Sequence, residues 1–233
     1  MAQMKTQHVK QEPRVGLMVP SSNTVMETDF HRELQGICSV HTARMYLVET
    51  TREAELEMIN RYAPAAATDL GTIEPDLLVF GCTSAGSLFG AEYDAKVCEE
   101  FGSLAGAPSV GVLTAVTEQL DLTAGTRLAV ITPYVDELTQ SVACAATSGE
   151  RELVVAAGMG ISDNIKLAEP TPHEIVNFAH SHLADQLFDI LLVSCTNFRA
   201  LEAKPLLEDT FQVPVVTSNS AILEAVRRRC LES

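Results

Sequence analysis

Two segments of this 233-residue chain recur at one fixed offset. Asp76-Leu-Leu-Val-Phe-Gly-Cys82-Thr83-Ser84 reads against Asp189-Ile-Leu-Leu-Val-Ser-Cys195-Thr196-Asn197, and Arg14-Val-Gly-Leu-Met-Val-Pro20 reads against Arg127-Leu-Ala-Val-Ile-Thr-Pro133. In both pairs the copies lie 113 residues apart. Self-similarity at a fixed period points to a duplicated structural unit and constrains the fold more than any local propensity. Each copy carries an apolar strand running into a Cys-Thr turn. A duplicated half-fold brings such strand ends together across a pseudo-twofold axis, so Cys82 and Cys195 are expected to face one another on a small cleft. Opposed thiols are suited to moving a proton between two faces of a carbon.

The strand segments are near-continuous apolar runs, the pattern of strands covered on both faces. They alternate with helical segments throughout, which implies parallel sheets with right-handed crossovers. The sequence predicts strands over 14–19, 40–48, 77–80 and 109–113 in the first copy, and over 128–132, 152–157, 190–193 and 213–217 in the second. Residues 52–67 read as one helix and 158–172 as a long loop, the latter on its Gly, Asp, Asn and Pro content. Thr171 is placed as the cap of a helix with Pro172 in its first turn. The expected architecture is α/β, with two pseudo-symmetric doubly wound lobes and the site between them. Residues 13–123 form the first lobe and 124–212 the second, after a flexible tail over 1–12. The segment 213–233 is expected to cross back onto the first lobe, because Val213-Pro-Val-Val parallels Ala107-Pro-Ser-Val.

With 46% hydrophobic residues the chain has ample material for packed cores, which excludes a disordered polymer. Its formal charge of −15 argues against nucleic acid, since phosphate binding needs a basic stripe. No apolar run reaches the length of a membrane span, and the polar first twelve residues do not form a signal peptide. Six cysteines without CxxC pairs fit reduced thiols and a cytoplasmic protein. His173, His180 and His182 do not share a helical face, no Gly-x-Gly-x-x-Gly follows a strand, and no P-loop lysine is present. Neither a metal nor another cofactor is therefore expected.

In open parallel sheets, ligands bind beyond the carboxyl ends of the strands. Pro20-Ser21-Ser22-Asn23, Cys82-Thr83-Ser84, Pro133-Tyr134 and Cys195-Thr196-Asn197 all fall there. Helices starting just beyond would aim backbone N–H groups at a carboxylate and lower a cysteine pKa. Thr83 and Thr196 could donate to a developing enolate oxygen. Cys38, Cys98, Cys144 and Cys230 read instead as small buried apolar side chains. Arg199 is placed on the surface of the helix that follows the second turn. A two-lobed binder of small carboxylates without chemistry is the reading of another class.

Val19-Pro-Ser-Ser-Asn-Thr24, Gly81-Cys82-Thr83, Thr132-Pro-Tyr134, Asp163-Asn164 and Ser194-Cys195-Thr196 together resemble the aspartate/glutamate racemase superfamily, in its maleate cis–trans isomerase and arylmalonate decarboxylase branch. The resemblance runs from about Arg14 to Arg229 and implies the two-lobed fold. It also implies a cofactor-independent isomerase or racemase acting on a small carboxylate, most similar to maleate isomerase. In that case Cys82 is the nucleophile and Cys195 the proton donor. Asn23, Tyr134 and Asn164 hold substrate carboxylates, with Ser22, Thr83, Ser84 and Thr196 completing the substrate-binding set. A homo-oligomer, dimer or tetramer, is implied as well. Arylmalonate decarboxylases keep only the second cysteine, so decarboxylation is the alternative, alongside amino-acid or hydantoin racemisation. The hydroxyls of Thr83 to Ser87 and the segment Asn197-Phe-Arg199 depart from the expected maleate isomerase pattern.

Overall fold

The computed structural model describes residues 12–147 and 149–231. Of the tail expected over 1–12, all but Glu12 lies outside the described residues. Strands β1 (Arg14–Pro20), β2 (Ser39–Met45), β3 (Leu77–Phe80) and β4 (Ser109–Gly111) form one all-parallel sheet in the order β2-β1-β3-β4. Strands β5 (Arg127–Tyr134), β6 (Glu152–Ile161), β7 (Ile190–Val193) and β8 (Val215–Thr217) form a second, β6-β5-β7-β8. The strand order is the same in both sheets once the duplication is allowed for. The repeat persists even in a capping bond: the backbone N–H of Arg14 donates to Asp76 Oδ2 at 2.7 Å, and that of Arg127 to Asp189 Oδ2 at 3.0 Å.

The central strands are apolar because both of their faces are covered. Every residue of β3 and β7 is buried, as are Leu17, Val19, Val130 and Ile131 on β1 and β5. Each fully buried Leu, Val or Ile contributes roughly 1.5–3 kcal/mol relative to an exposed one. Residues from the two sheets share one apolar cluster. Helices α4 (Thr83–Phe89) and α7 (Asp136–Ala146) pack across the halves, as do α6 (Val112–Leu122) and α10 (Ser218–Leu231).

Three expectations are corrected. The last strand does not join the first sheet: β8 pairs with β7, and it is by packing that β8 and α10 meet the first half, chiefly through α10 against α6. Val213-Pro-Val-Val resembles Ala107-Pro-Ser-Val because β8 and β4 occupy equivalent edge positions. Second, β6 extends through Ile161, into the segment expected as loop. Gly158 is required there by close approach within the strand, since a Cβ would stand 2.3 Å from the Tyr134 carbonyl oxygen. Third, the helix expected over 52–67 is α2 (Arg52–Glu57), a π-helical turn (Met58–Tyr62) and α3 (Ala63–Gly71). By contrast, Thr171 caps α8 (Pro172–Leu183) in a reciprocal box with Glu174, and Pro172 opens that helix.

Candidate active site

Cys82 follows β3 after Gly81 and is the residue from which α4 springs, in extended conformation at φ −128°, ψ 114°. The preceding Gly81 has no room for a side chain: a Cβ would lie 2.7 Å from both the Met18 carbonyl oxygen and Met26 Sδ. Cys195 occupies the equivalent end of β7. There the chain turns before α9 (Ala200–Phe211), so the second thiol is met by the Asn197 N–H at 3.3 Å and not by a helix start.

The two turns are bonded to each other. Thr196 Oγ1 donates to the Gly81 carbonyl at 3.3 Å and accepts from Asn23 Nδ2 at 3.1 Å. Ser218, the first residue of α10, stands between the turns, its hydroxyl 3.2 Å from both Thr83 Oγ1 and Ser194 Oγ. Asn219 adds a bond to the Thr196 carbonyl at 3.3 Å while donating to buried Asp29 at 2.8 Å. The bonds Asn23–Thr196, Thr196–Gly81, Thr83–Ser218 and Asn219–Asp29 join segments more than a hundred residues apart, and each cysteine is only 2% exposed.

The other residues singled out by the sequence gather around this pair. The Asn23 side-chain oxygen accepts from the Val25 and Met26 N–H groups, where the chain enters α1 (Met26–Glu33). Asn164 Nδ2 donates to Ser22 Oγ at 2.7 Å, and the Asn164 carbonyl accepts from Asn197 Nδ2 at 2.6 Å. Ser22 in turn donates to the Leu47 carbonyl at 2.5 Å. Each amide NH2 carries two donors, so these bonds leave Asn23 and Asn164 a second N–H for a ligand. Tyr134 closes β5, fully buried, with its hydroxyl bonded to the Cys195 sulfur. Arg199, the residue before α9, is half-buried and bonds Glu202 at 2.8 and 3.0 Å, and of the four cysteines expected to be buried, Cys144 is exposed.

Two features were not anticipated. Ser84 Oγ lies 3.4 Å from Cys82 Sγ and donates to Glu55 Oε1, while Glu55 Oε2 accepts from Cys82 Sγ at 3.4 Å. Glu55 is completely buried. Its signal was present in the sequence: it shares a helical stripe with the buried Met58 and Ile59, and a carboxylate on an apolar stripe is anomalous. The π-helical turn adds one residue, and the stripe resumes at Ala63, Ala66, Ala67 and Leu70. Asn197 was legible only as part of the second cysteine turn, yet its side chain ties Thr24 and Asn164 together.

The electrostatics also correct an expectation. Neither thiol is pulled down into a reactive range. Burial pushes Cys82 well above the usual thiol value, the neighbouring Glu55 charge adds to this, and bonds from Ser84 and the Ala85 N–H offset it only partly. Burial pushes Cys195 up to about 12 against the Tyr134 and Asn197 bonds. Desolvation by burial outweighs the hydrogen bonds to the two sulfurs. Glu55 is itself raised by burial to about 7. Among the described residues no group of three or more His, Cys, Asp or Glu is arranged to hold a metal, and no helix is long and apolar enough to cross a membrane. A cleft of about 680 Å³ lined by Thr51, Arg52, Leu88, Val135 and Ser162 opens next to these elements.

The arrangement offers two protonated thiols, a phenol and amide donors, and a buried carboxyl group. Maleate isomerase of Geobacillus stearothermophilus is 25% identical over 218 residues, covering 88% of this chain and 86% of that protein. The structure of the maleate isomerase from Pseudomonas putida S16 with maleate superposes with a TM-score of 0.85 at 24% identity, covering 93% of this chain and 91% of the other. A cysteine mutant of the Nocardia farcinica maleate cis-trans isomerase, with a covalently bound succinylcysteine intermediate, gives 0.84 at 21%, over 93% and 92% of the two chains. The model of the arylmalonate decarboxylase family matches residues 15–232, and on this nearly complete match the chain belongs to that family.

Proposed function

We propose that the chain is a cofactor-independent isomerase of a small unsaturated dicarboxylate, maleate in the first instance, with Cys82 as nucleophile and Cys195 as proton donor. The observation that carries this reading is the pair of buried cysteines on equivalent turns of a duplicated fold, joined through Thr196 and Ser218. The names of the relatives support it, as does the covalent succinylcysteine of the Nocardia farcinica protein.

In this reading the Cys82 thiolate adds to one alkene carbon. A C–S bond forms, and the π electron pair moves to the neighbouring carbon and its carboxylate as an enediolate. Cys195, held protonated by burial, delivers its proton to that carbon, and the Tyr134 hydroxyl steadies the thiolate left behind. Rotation about the new single bond follows. Cys195 then recovers the proton, the C–S bond breaks, and the trans alkene departs. The second N–H groups of Asn23 and Asn164 hold the carboxylates, while the hydroxyls of Ser22, Thr83, Ser84 and Thr196, whose single protons go to Leu47, Ser218, Glu55 and Gly81, fix the turns around them. A cytoplasmic homo-oligomer belongs to the same reading on the strength of the resemblance, and light scattering tests the assembly.

Proton NMR in deuterated water tests the activity. Maleate should convert to fumarate, and Cys82→Ala should abolish the conversion. Undiminished turnover by Cys82→Ala would sink the nucleophile assignment, while carbon dioxide release from phenylmalonate with maleate untouched would put decarboxylation in its place.

A further inference from the structure

Glu55 does not belong to the cysteine-turn repeat. It reaches the first thiol from α2, whereas the second thiol is met by the Tyr134 hydroxyl and the Asn197 N–H. Its carboxylate is completely buried, and the interactions that offset this burial are the hydrogen bonds from Ser84 and Cys82, with no cation among them. A buried carboxylate with no cationic partner destabilises a fold unless it is engaged otherwise. One oxygen here is held by Ser84 and the other is directed at the Cys82 sulfur at 3.4 Å. The nucleophile, meanwhile, sits in a closed space that disfavours its ionised form.

We propose that Glu55 is the base that takes the Cys82 proton and so generates the nucleophile inside the closed site. The proposal rests on the reading of Cys82 as nucleophile. In the step, the S–H bond breaks and its electron pair stays on sulfur, while the proton forms an O–H bond with Glu55 Oε2. The sulfur pair then forms the C–S bond to the alkene. On elimination the thiolate is released and retrieves the proton from Glu55. The Glu55–Cys82 pair itself carries one negative charge before and after the transfer. Ionising the thiol to solvent would instead leave two negative charges side by side in a medium of low polarity. Ser84 fixes the carboxylate rotamer and withholds its other oxygen.

The titratable groups that face Glu55 are few. Cys82 meets it from the β3–α4 turn, and Tyr134 on β5 and Cys195 after β7 are coupled to its charge. Helix α4 contributes no charged side chain. On its own helix, Arg52 is engaged with the Leu88 carbonyl at 2.8 Å and with the Phe89 ring.

The test is the rate of Cys82 alkylation by iodoacetamide, read by peptide mass spectrometry from about pH 5 to 10, with wild type, Glu55→Gln and Ser84→Ala. In wild type the rate should rise as Glu55 ionises around neutrality, at a pH where a buried thiol alone would be inert. Glu55→Gln should lose that rise and react at least roughly tenfold more slowly near pH 7.5, in line with the loss of a general base. Superimposable profiles for wild type and Glu55→Gln, or no alkylation of wild-type Cys82 at any pH, would overturn the proposal. Should Glu55→Gln fail to fold, Ser84→Ala decides. The carboxylate then loses the bond that stabilises its ionised form, so the midpoint should move to higher pH, and an unmoved midpoint counts against Glu55. The two readings fail separately: turnover retained by Cys82→Ala refutes the nucleophile, whereas an inactive Cys82→Ala with an unaffected Glu55→Gln profile refutes only the base.

Discussion

Replacing Thr196 by valine removes one hydroxyl and keeps the shape of the side chain, which makes it a clean probe of how the two halves are held together. Thr196 is 3% exposed, and its hydroxyl donates to the Gly81 carbonyl and accepts from Asn23 Nδ2. Valine leaves both partners buried without that bond. A buried polar group left unpaired costs about 1–3 kcal/mol. Asn23 retains its bonds through Oδ1 to Val25 and Met26, so its amide stays in place and cannot swing out to find another acceptor. The combined loss is therefore roughly 2–4 kcal/mol. For a chain of this length, 1 kcal/mol moves Tm by about 2–4 °C, which predicts a fall of roughly 4–16 °C. Thermal unfolding followed by circular dichroism, with scan-rate controls, reads the shift. Thr196→Ser, which keeps the hydroxyl, should recover most of it. A fall of less than about 2 °C for valine would show that the Thr196 bridge contributes little. Equal losses for serine and valine would trace the effect to the methyl contact.

Two further outcomes follow from burial. Asp94 on α5 (Ala91–Ala105) is 2% exposed, neither of its oxygens has a partner among the described residues, and burial raises it to about 7. Its folded pKa exceeds the unfolded value, so its contribution is most favourable below about pH 4 and is lost as pH rises through 7. The loss amounts to up to about 4 kcal/mol. Urea unfolding should therefore show wild type losing stability between pH 5 and 8, and Asp94→Asn losing less; parallel slopes would contradict this, Glu55 supplying a residual slope of the same sign in both. Gly81→Ala drives a methyl to 2.7 Å from the Met18 carbonyl and Met26 Sδ. It should cost about 1–3 kcal/mol and lower turnover by displacing the Cys82 turn, and unchanged stability and turnover would show that β1 and α1 yield freely.

Much of this was legible along the chain because it is carried by local patterns. An apolar run closed by a Cys-Thr turn is readable wherever it occurs, and its recurrence after 113 residues implied the pair of parallel sheets and the paired thiols. Thr171 and Pro172 announced a helix start by chemistry confined to four residues. What escaped was set by distance. Gly158 and Gly160 look like turn residues, yet they lie within β6, where Gly158 is needed for the approach of Tyr134 and Thr139. The Val213-Pro-Val-Val segment was readable as a strand, but its neighbour is chosen by sheet pairing, and pairing is non-local.

The sequence by itself determined the duplicated α/β architecture and the strand ends at which Cys82, Cys195, Asn23 and Tyr134 lie. Only the tertiary structure decided that Ser218 and Thr196 bind the two turns together, and that both thiols are driven upward in pKa. It alone brought Glu55, 27 residues before Cys82 and on a different element, to within reach of the sulfur. Periodicity assigns a residue to a face, but desolvation and hydrogen bonding depend on what other segments place against that face, and those partners are chosen only when the sheets close.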